Sequence, residues 1–201
     1  MSMVPPLSAA AGPTAVRFGT LWDGTGKVLK NAVVVLDGDR IQGVGSTVPP
    51  DVHVIDLSRY AGLPGLIDVH THMTYGPVPG GGRAPAVNMV LGLEAARRTL
   101  ETGVTTVRDM NATDYMDVAM RDLIDSGAAT GPRMFVVGYG LHITRTRNGV
   151  PPTPGTVDGP EAAMRVAREQ IAAGADWVKV FGSTGSGQDV SGFQTFTYEE
   201  M

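Results

Sequence analysis

The chain begins with a segment in which apolar and polar residues follow the short period of β-strands. After residues 1–13, which are small and proline-rich and are predicted to be flexible, short apolar runs alternate with turns up to residue 63. The four predicted strands cover 15–18, 32–36, 40–44 and 52–57. Because no helical period interrupts them, residues 14–63 are predicted to form a small N-terminal β-sandwich module.

The pattern changes after Gly62-Leu63-Pro64-Gly65, where strands begin to alternate with helices. The predicted strands cover 66–69, 104–107, 134–137 and 177–181, and the predicted helices cover 86–102, 113–126 and 158–173. The third helix is predicted to open with a capping box formed by Asp158 and Glu161. Apolar residues at helical spacing, including the methionines, are expected to be core.

Four strands with three intervening helices have the spacing of a known barrel. A (β/α)₈ barrel of about 250 residues is built from units of this size. We therefore predict an α/β fold in which residues 64–201 form the first four β/α units of a (β/α)₈ TIM-type barrel. A doubly wound α/β sheet is the alternative. It is disfavoured in its dinucleotide-binding form, because no Gly-x-Gly-x-x-Gly turn follows the first strand.

The C-terminal residues resemble the start of another helix. Thr197 and Glu200 have the spacing of a capping box, and the sequence stops at Met201. We therefore expect a fragment, a truncated product or one of two chains. Half a barrel leaves a strand edge and an apolar face uncovered, so the expected partners are the C-terminal half of the barrel and further copies in a homo-oligomer.

Composition then narrows the classes of function. The 201 residues are 42% hydrophobic and carry a formal net charge of -4 without a basic stripe, which argues against nucleic acid. Cysteine is absent, so a metal would need His, Asp, Glu or a modified side chain. No apolar run reaches about 18 residues, so no membrane partner is expected. The localisation is cytoplasmic by default, with a mature secreted or periplasmic form as the alternative.

His70 and His72 are the first candidate ligands. They lie two residues apart at the end of an apolar strand, so strand alternation puts both imidazoles on one face. Neutral imidazole is a common ligand of zinc and similar metals. In a barrel the carboxyl end of a strand faces the active site. An isolated His-x-His is more often structural, but this context favours a metal site.

Lys179 is the second candidate, because it interrupts an otherwise apolar strand. Lysine is almost never fully buried without a partner, and burial leaves part of the amine neutral. A neutral amine can add carbon dioxide to give a carbamate, an anionic ligand that can bridge two metals. The alternative is a lysine that extends from the strand end into solvent. Its place on strand four, facing the same mouth as strand one, favours the ligand.

These residues resemble a known family. The segment 62–72, which ends in His70-Thr71-His72, is similar to the strand-one signature of the amidohydrolase superfamily, and 174–180 is similar to its carbamylated-lysine strand. The likeness is greatest to the branch that contains imidazolonepropionase-related, Xaa-Pro dipeptidase-like and ochratoxin amidohydrolase-like enzymes. It implies two zinc ions, with His70 and His72 on one metal and a carbamate on Lys179 bridging both.

The resemblance also implies an activity. Enzymes of this kind hydrolyse an amide bond with a metal-activated hydroxide, and the substrates expected here are dipeptides or N-acyl amino acids, including ochratoxin-like molecules. The proton-shuttling aspartate is expected beyond Met201, so no catalytic residue is assigned on this chain. The alternatives are a non-catalytic half barrel that needs a second chain, or a mononuclear cyclic-amide hydrolase or deaminase, which typically lacks the bridging lysine.

Substrate contacts are predicted on the loop after the third strand. Tyr139 and His142 are candidates for hydrogen bonds to substrate, and Arg145 and Arg147 are candidates for holding a carboxylate. The alternative for each arginine is a solvated loop position.

Two further predictions lie outside this loop. Arg83, in the glycine-rich segment, is a weaker candidate for substrate binding. Arg108 and Asp109 end the second strand; a pair that supports the metal ligands is one interpretation, and a plain structural ion pair is favoured.

Overall fold

The computed structural model describes residues 12–74, 85–144, 152–183 and 192–201. The described strands are β1 (Thr14–Trp22), β2 (Val28–Asp37), β3 (Arg40–Gly45), β4 (His53–Gly62), β5 (Leu66–Thr71), β6 (Val104–Asp109) and β7 (Arg133–Phe135). The described helices are α1 (Pro85–Glu101), α2 (Met116–Asp125), α3 (Pro160–Ala172) and a 3₁₀ turn at Tyr198–Glu200. The chain divides into two units, Met1–Pro64 and Gly65–Met201.

The first unit contains one mixed sheet in the order β3-β2-β1-β4. β2 pairs antiparallel with β1 and β3, whereas β4 runs parallel to β1. Asp37 pairs with Arg40 across a two-residue turn, and Gly38 in that turn has a φ of 56°, a conformation that glycine favours in hairpins. Because a single sheet is described in this unit, the sandwich arrangement stays a prediction.

β4 is longer than the sequence pattern predicts, and a bulge within β4 accounts for part of the difference. The parallel register of β1 and β4 shifts between Phe18 and Thr20, so that Thr20 pairs with Ala61. Three residues of β4 lie between Leu57 and Ala61, whereas a single residue of β1, Gly19, lies between Phe18 and Thr20. The bulge lets the pairing continue to Gly62 although this part of β4 has no clear apolar alternation.

Gly19 is expected to be intolerant of any side chain. A Cβ at this position would lie 2.2 Å from the carbonyl oxygen of Ser58, and backbone atoms give way only at a cost. We expect Gly19→Ala to lower the free energy of unfolding by about 1–3 kcal/mol, measured by urea denaturation. Gly43→Ala in β3 is the control, because a Cβ there meets nothing within 4 Å. Equal losses in the two variants would contradict the prediction.

The second unit has the predicted α/β architecture with a parallel sheet. β5, β6 and β7 are parallel neighbours in that order, with α1 and α2 as the connections between them. The helices pack on the sheet through a buried apolar cluster of Met73, Ala96, Val107, Val118, Met120, Met134 and Val136. Among the described residues, none of the helices combines the length and the apolar character needed to cross a membrane.

The third strand ends earlier than predicted because side chains bind its backbone. The Asp176 carboxylate accepts the N–H of Val136 at 2.9 Å. The Asp117 carboxylate accepts the N–H groups of Val137 at 3.1 Å and Gly138 at 2.8 Å. These donors would otherwise be available to a neighbouring strand, so β7 is limited to three residues.

The predicted fourth strand, 177–181, is an isolated parallel bridge between Leu141 and Val180 instead of a continuous strand. The N–H of Trp177 donates to the carbonyl of Val136 at 3.2 Å, and two further backbone hydrogen bonds form the bridge. The N–H of Leu141 donates to the carbonyl of Lys179 at 2.7 Å, and the N–H of Phe181 donates to the carbonyl of Leu141 at 2.9 Å. The segment therefore lies beside the continuation of the third strand, as the sequence order predicts.

The helix starts also differ from the pattern. α2 begins at Met116 and not at residue 113, because Asp114 and Tyr115 adopt left-handed φ angles of 53° and 51°. The capping box predicted for α3 is wrong. Its N-cap is Gly159, and the Asp158 carboxylate instead accepts the backbone N–H and the hydroxyl of Thr144.

The capping box predicted near the C-terminus is confirmed. Thr197 and Glu200 form both of its reciprocal hydrogen bonds. The Glu200 carboxylate also accepts the N–H of Gly159 at 2.9 Å, which ties this turn to the start of α3.

Candidate metal centre

The two histidines lie side by side at the carboxyl end of β5. Their ring centroids are 5.3 Å apart with an angle of 62° between the rings. His70 is exposed, and its backbone N–H donates to the Asp68 carboxylate at 3.0 Å. Asp68 therefore fixes the backbone of the motif. The structure brings together the two imidazoles that the sequence pairs by alternation.

The environment of His72 favours the neutral imidazole that a metal requires. Nδ1 lies 3.4 Å from the backbone carbonyl oxygen of Asn111. A carbonyl can only accept, so Nδ1 carries the proton in this contact and the lone pair sits on Nε2, the nitrogen that would bind a metal. Burial lowers the pKa of His72, and the positive charges of His70 and Lys179 lower it further, against the opposing effect of the Asn111 carbonyl.

Lys179 lies close enough to His72 for its charge to act on that imidazole. Its Nζ sits 5.0 Å from the centroid of the Phe181 ring. Burial, followed by the positive charge of Arg108, lowers the pKa of the Lys179 amine below its usual value. A larger fraction of the amine is therefore neutral, which is the form that reacts with carbon dioxide.

Arg108 and Asp109 do not form the predicted ion pair. Neighbouring residues on a strand point to opposite faces, and these two follow that rule. Arg108 donates from Nε to the carbonyl of Val69 at 2.8 Å, and its guanidinium lies 5.2 Å from the centroid of the Trp177 ring. Asp109 is fully buried on the other face.

Asp109 lies directly behind the histidine motif. Its Oδ2 accepts the backbone N–H of Met73, the residue after His72, at 2.6 Å. Burial raises the pKa of Asp109 to about 7, and the negative charge of Asp117 adds to the shift, whereas the N–H groups of Met73 and Asn111 oppose it. The sequence analysis considered Asp109 as support for the site only in a pair with Arg108, and it did not predict the contact with Met73. A carboxylate on the inward face of a core strand was the available signal.

The predicted substrate residues lie on the loop after the third strand, and their polar atoms are engaged within the chain. The Tyr139 hydroxyl donates to the Asp114 carboxylate at 3.0 Å and accepts its N–H at 2.7 Å. In His142, Nδ1 faces the carbonyl of Ile143 at 3.1 Å, and Nε2 contacts the Thr153 hydroxyl at 2.8 Å. Their role in substrate binding stays a prediction.

The other residues predicted to contact substrate are three arginines. Arg83, Arg145 and Arg147 lie outside the described residues.

The donor set fits part of a zinc site. Catalytic zinc usually has three protein ligands and structural zinc has four. His70 and His72 offer two imidazoles, and Lys179 offers an amine nearby. Over 12–74, 85–144, 152–183 and 192–201, no group of three or more His, Cys, Asp or Glu side chains is arranged to hold a metal. The pair therefore suits a site to which other residues also contribute.

The parallel α/β sheet and the His-x-His strand end agree with one known protein family. A sequence profile of the amidohydrolase family matches residues 62–201, and the chain belongs to that family.

Among individual proteins, the imidazolonepropionase of Arthrobacter sp. (strain FB24) is 40% identical over 55 residues, covering 26% of this chain and 14% of that protein. A solved Xaa-Pro dipeptidase with bound methionine in the active site is 29% identical with a TM-score of 0.81, covering 94% of this chain and 52% of that one. The A. niger ochratoxinase is 25% identical with a TM-score of 0.75, covering 94% and 51%. The chain thus spans about half the length of these structures.

Proposed function

We propose that this chain forms part of a metal-dependent amidohydrolase that cleaves an amide-type C–N bond in a small molecule. The observation that carries the proposal is the pair of imidazoles at the carboxyl end of β5, next to an amine whose pKa is lowered. Membership of the amidohydrolase family supports it. The similarity to a dipeptidase and an ochratoxinase favours dipeptides or N-acyl amino acids as substrates.

We further propose that the site holds two zinc ions. His70 and His72 would hold one of them through their neutral imidazoles. Lys179, as a carbamate formed when its neutral amine adds carbon dioxide and loses a proton, would bridge both. Bound zinc supplies a water of lowered pKa and polarises a carbonyl. The chain's own contribution is to keep His72 neutral, and the proposed proton shuttle is an aspartate from a later strand.

Exposed apolar residues on β5 support the proposal of a larger barrel. Leu66, Ile67 and Val69 are 52%, 68% and 56% exposed, although strands of a parallel sheet are normally covered on both faces. We propose that the C-terminal half of a (β/α)₈ barrel covers them. Assembly into a homo-oligomer stays a prediction.

Zinc binding to the chain tests the site directly. We expect wild-type protein to bind zinc in a competition titration, and His70→Ala and His72→Ala each to weaken binding by at least about 100-fold, since loss of a residue that merely supports a ligand already weakens it by 10–100-fold. His53→Ala is the matched control, because His53 is an exposed histidine of β4 in the other unit.

Two outcomes would contradict this proposal. One is a wild-type chain that does not bind zinc, and the other is equal binding by all three histidine variants. The carbamate is tested separately with ¹³C-labelled carbon dioxide. We expect a carbamate signal in wild-type protein that disappears in Lys179→Met and is kept in Lys30→Met, an exposed lysine of β2.

A further inference from the structure

Asn111 contacts the neighbouring strand end on each side of it. It lies two residues after the end of β6, between the end of β5 and the continuation of the third strand. Its backbone carbonyl faces Nδ1 of His72 at 3.4 Å, and its side-chain Oδ1 accepts the N–H of Gly140 at 2.7 Å. Asn111 therefore contacts the His72 imidazole through its main chain, and it contacts Gly140, at the next strand end, through its side chain.

Gly140 continues this connection to the lysine. It is buried, and a Cβ at this position would lie 2.6 Å from the Phe181 ring, 3.0 Å from Cγ of Lys179 and 3.1 Å from Oδ1 of Asn111. The backbone of Gly140 thus packs directly against the aliphatic part of Lys179. Since the same glycine donates to Asn111, the contacts run without a gap from His72 through Asn111 and Gly140 to Lys179.

We propose that Asn111 is a positioning residue that sets the orientation of the His72 imidazole relative to Lys179. The inference rests on the proposed metal site, which gives the orientation of His72 its function. The contacts that set this orientation are those of the metal-free chain. The carboxamide oxygen anchors residue 111 to Gly140, and this anchor holds the carbonyl of residue 111 against Nδ1 of His72. The ring is then kept as the tautomer with its lone pair on Nε2.

The choice of substitutions follows from this chemistry. Asn111→Leu has a similar volume but offers no acceptor, so the N–H of Gly140 loses its partner and residue 111 is no longer anchored. Asn111→Asp keeps an acceptor oxygen in the same place and should restore the anchor, but it adds a negative charge near His72, so it is compared only in the tautomer measurement. Gln170→Leu is the matched control, because Oε1 of Gln170 accepts the N–H of Tyr139 at 2.9 Å, the same kind of contact one residue earlier.

The first measurement is the tautomer of His72 in metal-free protein, read from ¹⁵N shifts of the imidazole ring. We expect the Nδ1–H form to dominate in wild-type protein, Asn111→Asp and Gln170→Leu, and a mixture of both tautomers in Asn111→Leu. The second measurement is zinc affinity by competition titration. We expect it to fall about 10–100-fold in Asn111→Leu and to change by less than about 3-fold in Gln170→Leu.

Two results would overturn the inference. One is an unchanged His72 tautomer in Asn111→Leu. The other is an equal change in Gln170→Leu, which would indicate general loosening of the fold. A wild-type chain that binds no zinc would refute the proposed function alone, because the tautomer measurement needs no metal and still decides the role of Asn111.

Discussion

Asp117→Ala is expected to lower the free energy of unfolding by about 3–5 kcal/mol, because it leaves buried backbone donors without a partner. Asp117 is fully buried at the start of α2. Its carboxylate accepts the N–H groups of Val137 and Gly138 after β7, and that of Val118 in its own helix. Each buried N–H that loses its only acceptor contributes about 1–3 kcal/mol to the loss.

Urea denaturation of the chain measures this effect, and two variants calibrate it. Asp117→Asn keeps one acceptor oxygen and should lose less than the alanine variant. Asp125→Asn removes an exposed carboxylate from the same helix and should change the stability by less than about 0.5 kcal/mol. A loss below about 1 kcal/mol in Asp117→Ala would show that Asp117 does not hold this strand end.

The second large effect is a pH dependence of stability that arises from Asp109. Burial raises its pKa in the folded chain to about 7, against about 3.9 for an unperturbed aspartate. At pH values between these two pKa values, the folded state therefore keeps a proton on Asp109 that the unfolded state has already lost. The stability from protonated Asp109 is fully present below about pH 4 and is lost as the pH rises through 7. The difference between the two pKa values corresponds to about 4 kcal/mol of stability.

Asp109→Asn isolates this contribution, because asparagine has nearly the same shape and does not titrate. We expect the variant to be more stable than wild-type protein at pH 8, with a difference that shrinks steadily as the pH falls toward 5. Urea denaturation of both proteins at several pH values gives the difference directly. A difference that is constant across this range would mean that Asp109 does not titrate there.

The sequence predicted those features that depend on local periodicity. Alternation in 66–72 puts both histidines on one face, and the order of strands and helices puts Lys179 at the same edge of the parallel sheet. The resemblance to the amidohydrolase family added the expectation that these residues bind metal. The match over 62–201 confirms the family. The histidine pair was accessible because it depends on residues close together in the chain, and Lys179 because the order of strands and helices follows from local patterns.

The remaining features depend on contacts between distant residues. The short β7 results from Asp117 and Asp176, which accept the N–H groups of the two residues that follow it from 20 and 40 positions away. The late start of α2 follows from two left-handed residues, Asp114 and Tyr115, neither of which is glycine. No periodicity encodes such contacts.

Asn111 was missed for the same reason. Its two partners, His72 and Gly140, lie 39 and 29 positions away along the chain. Only the rule that the carboxyl ends of parallel strands share an edge could have drawn attention to it.

The isolated bridge at Val180 has a consequence for how the site can change. Lys179 lies on a segment fastened to its neighbour by few backbone hydrogen bonds, so its opening does not require the sheet of β5 and β6 to open. The aliphatic part of Lys179 also packs against Gly140. Under the proposed function, single substitutions around Gly140 are expected to shift Lys179 relative to the histidines while the sheet of β5 and β6 stays intact.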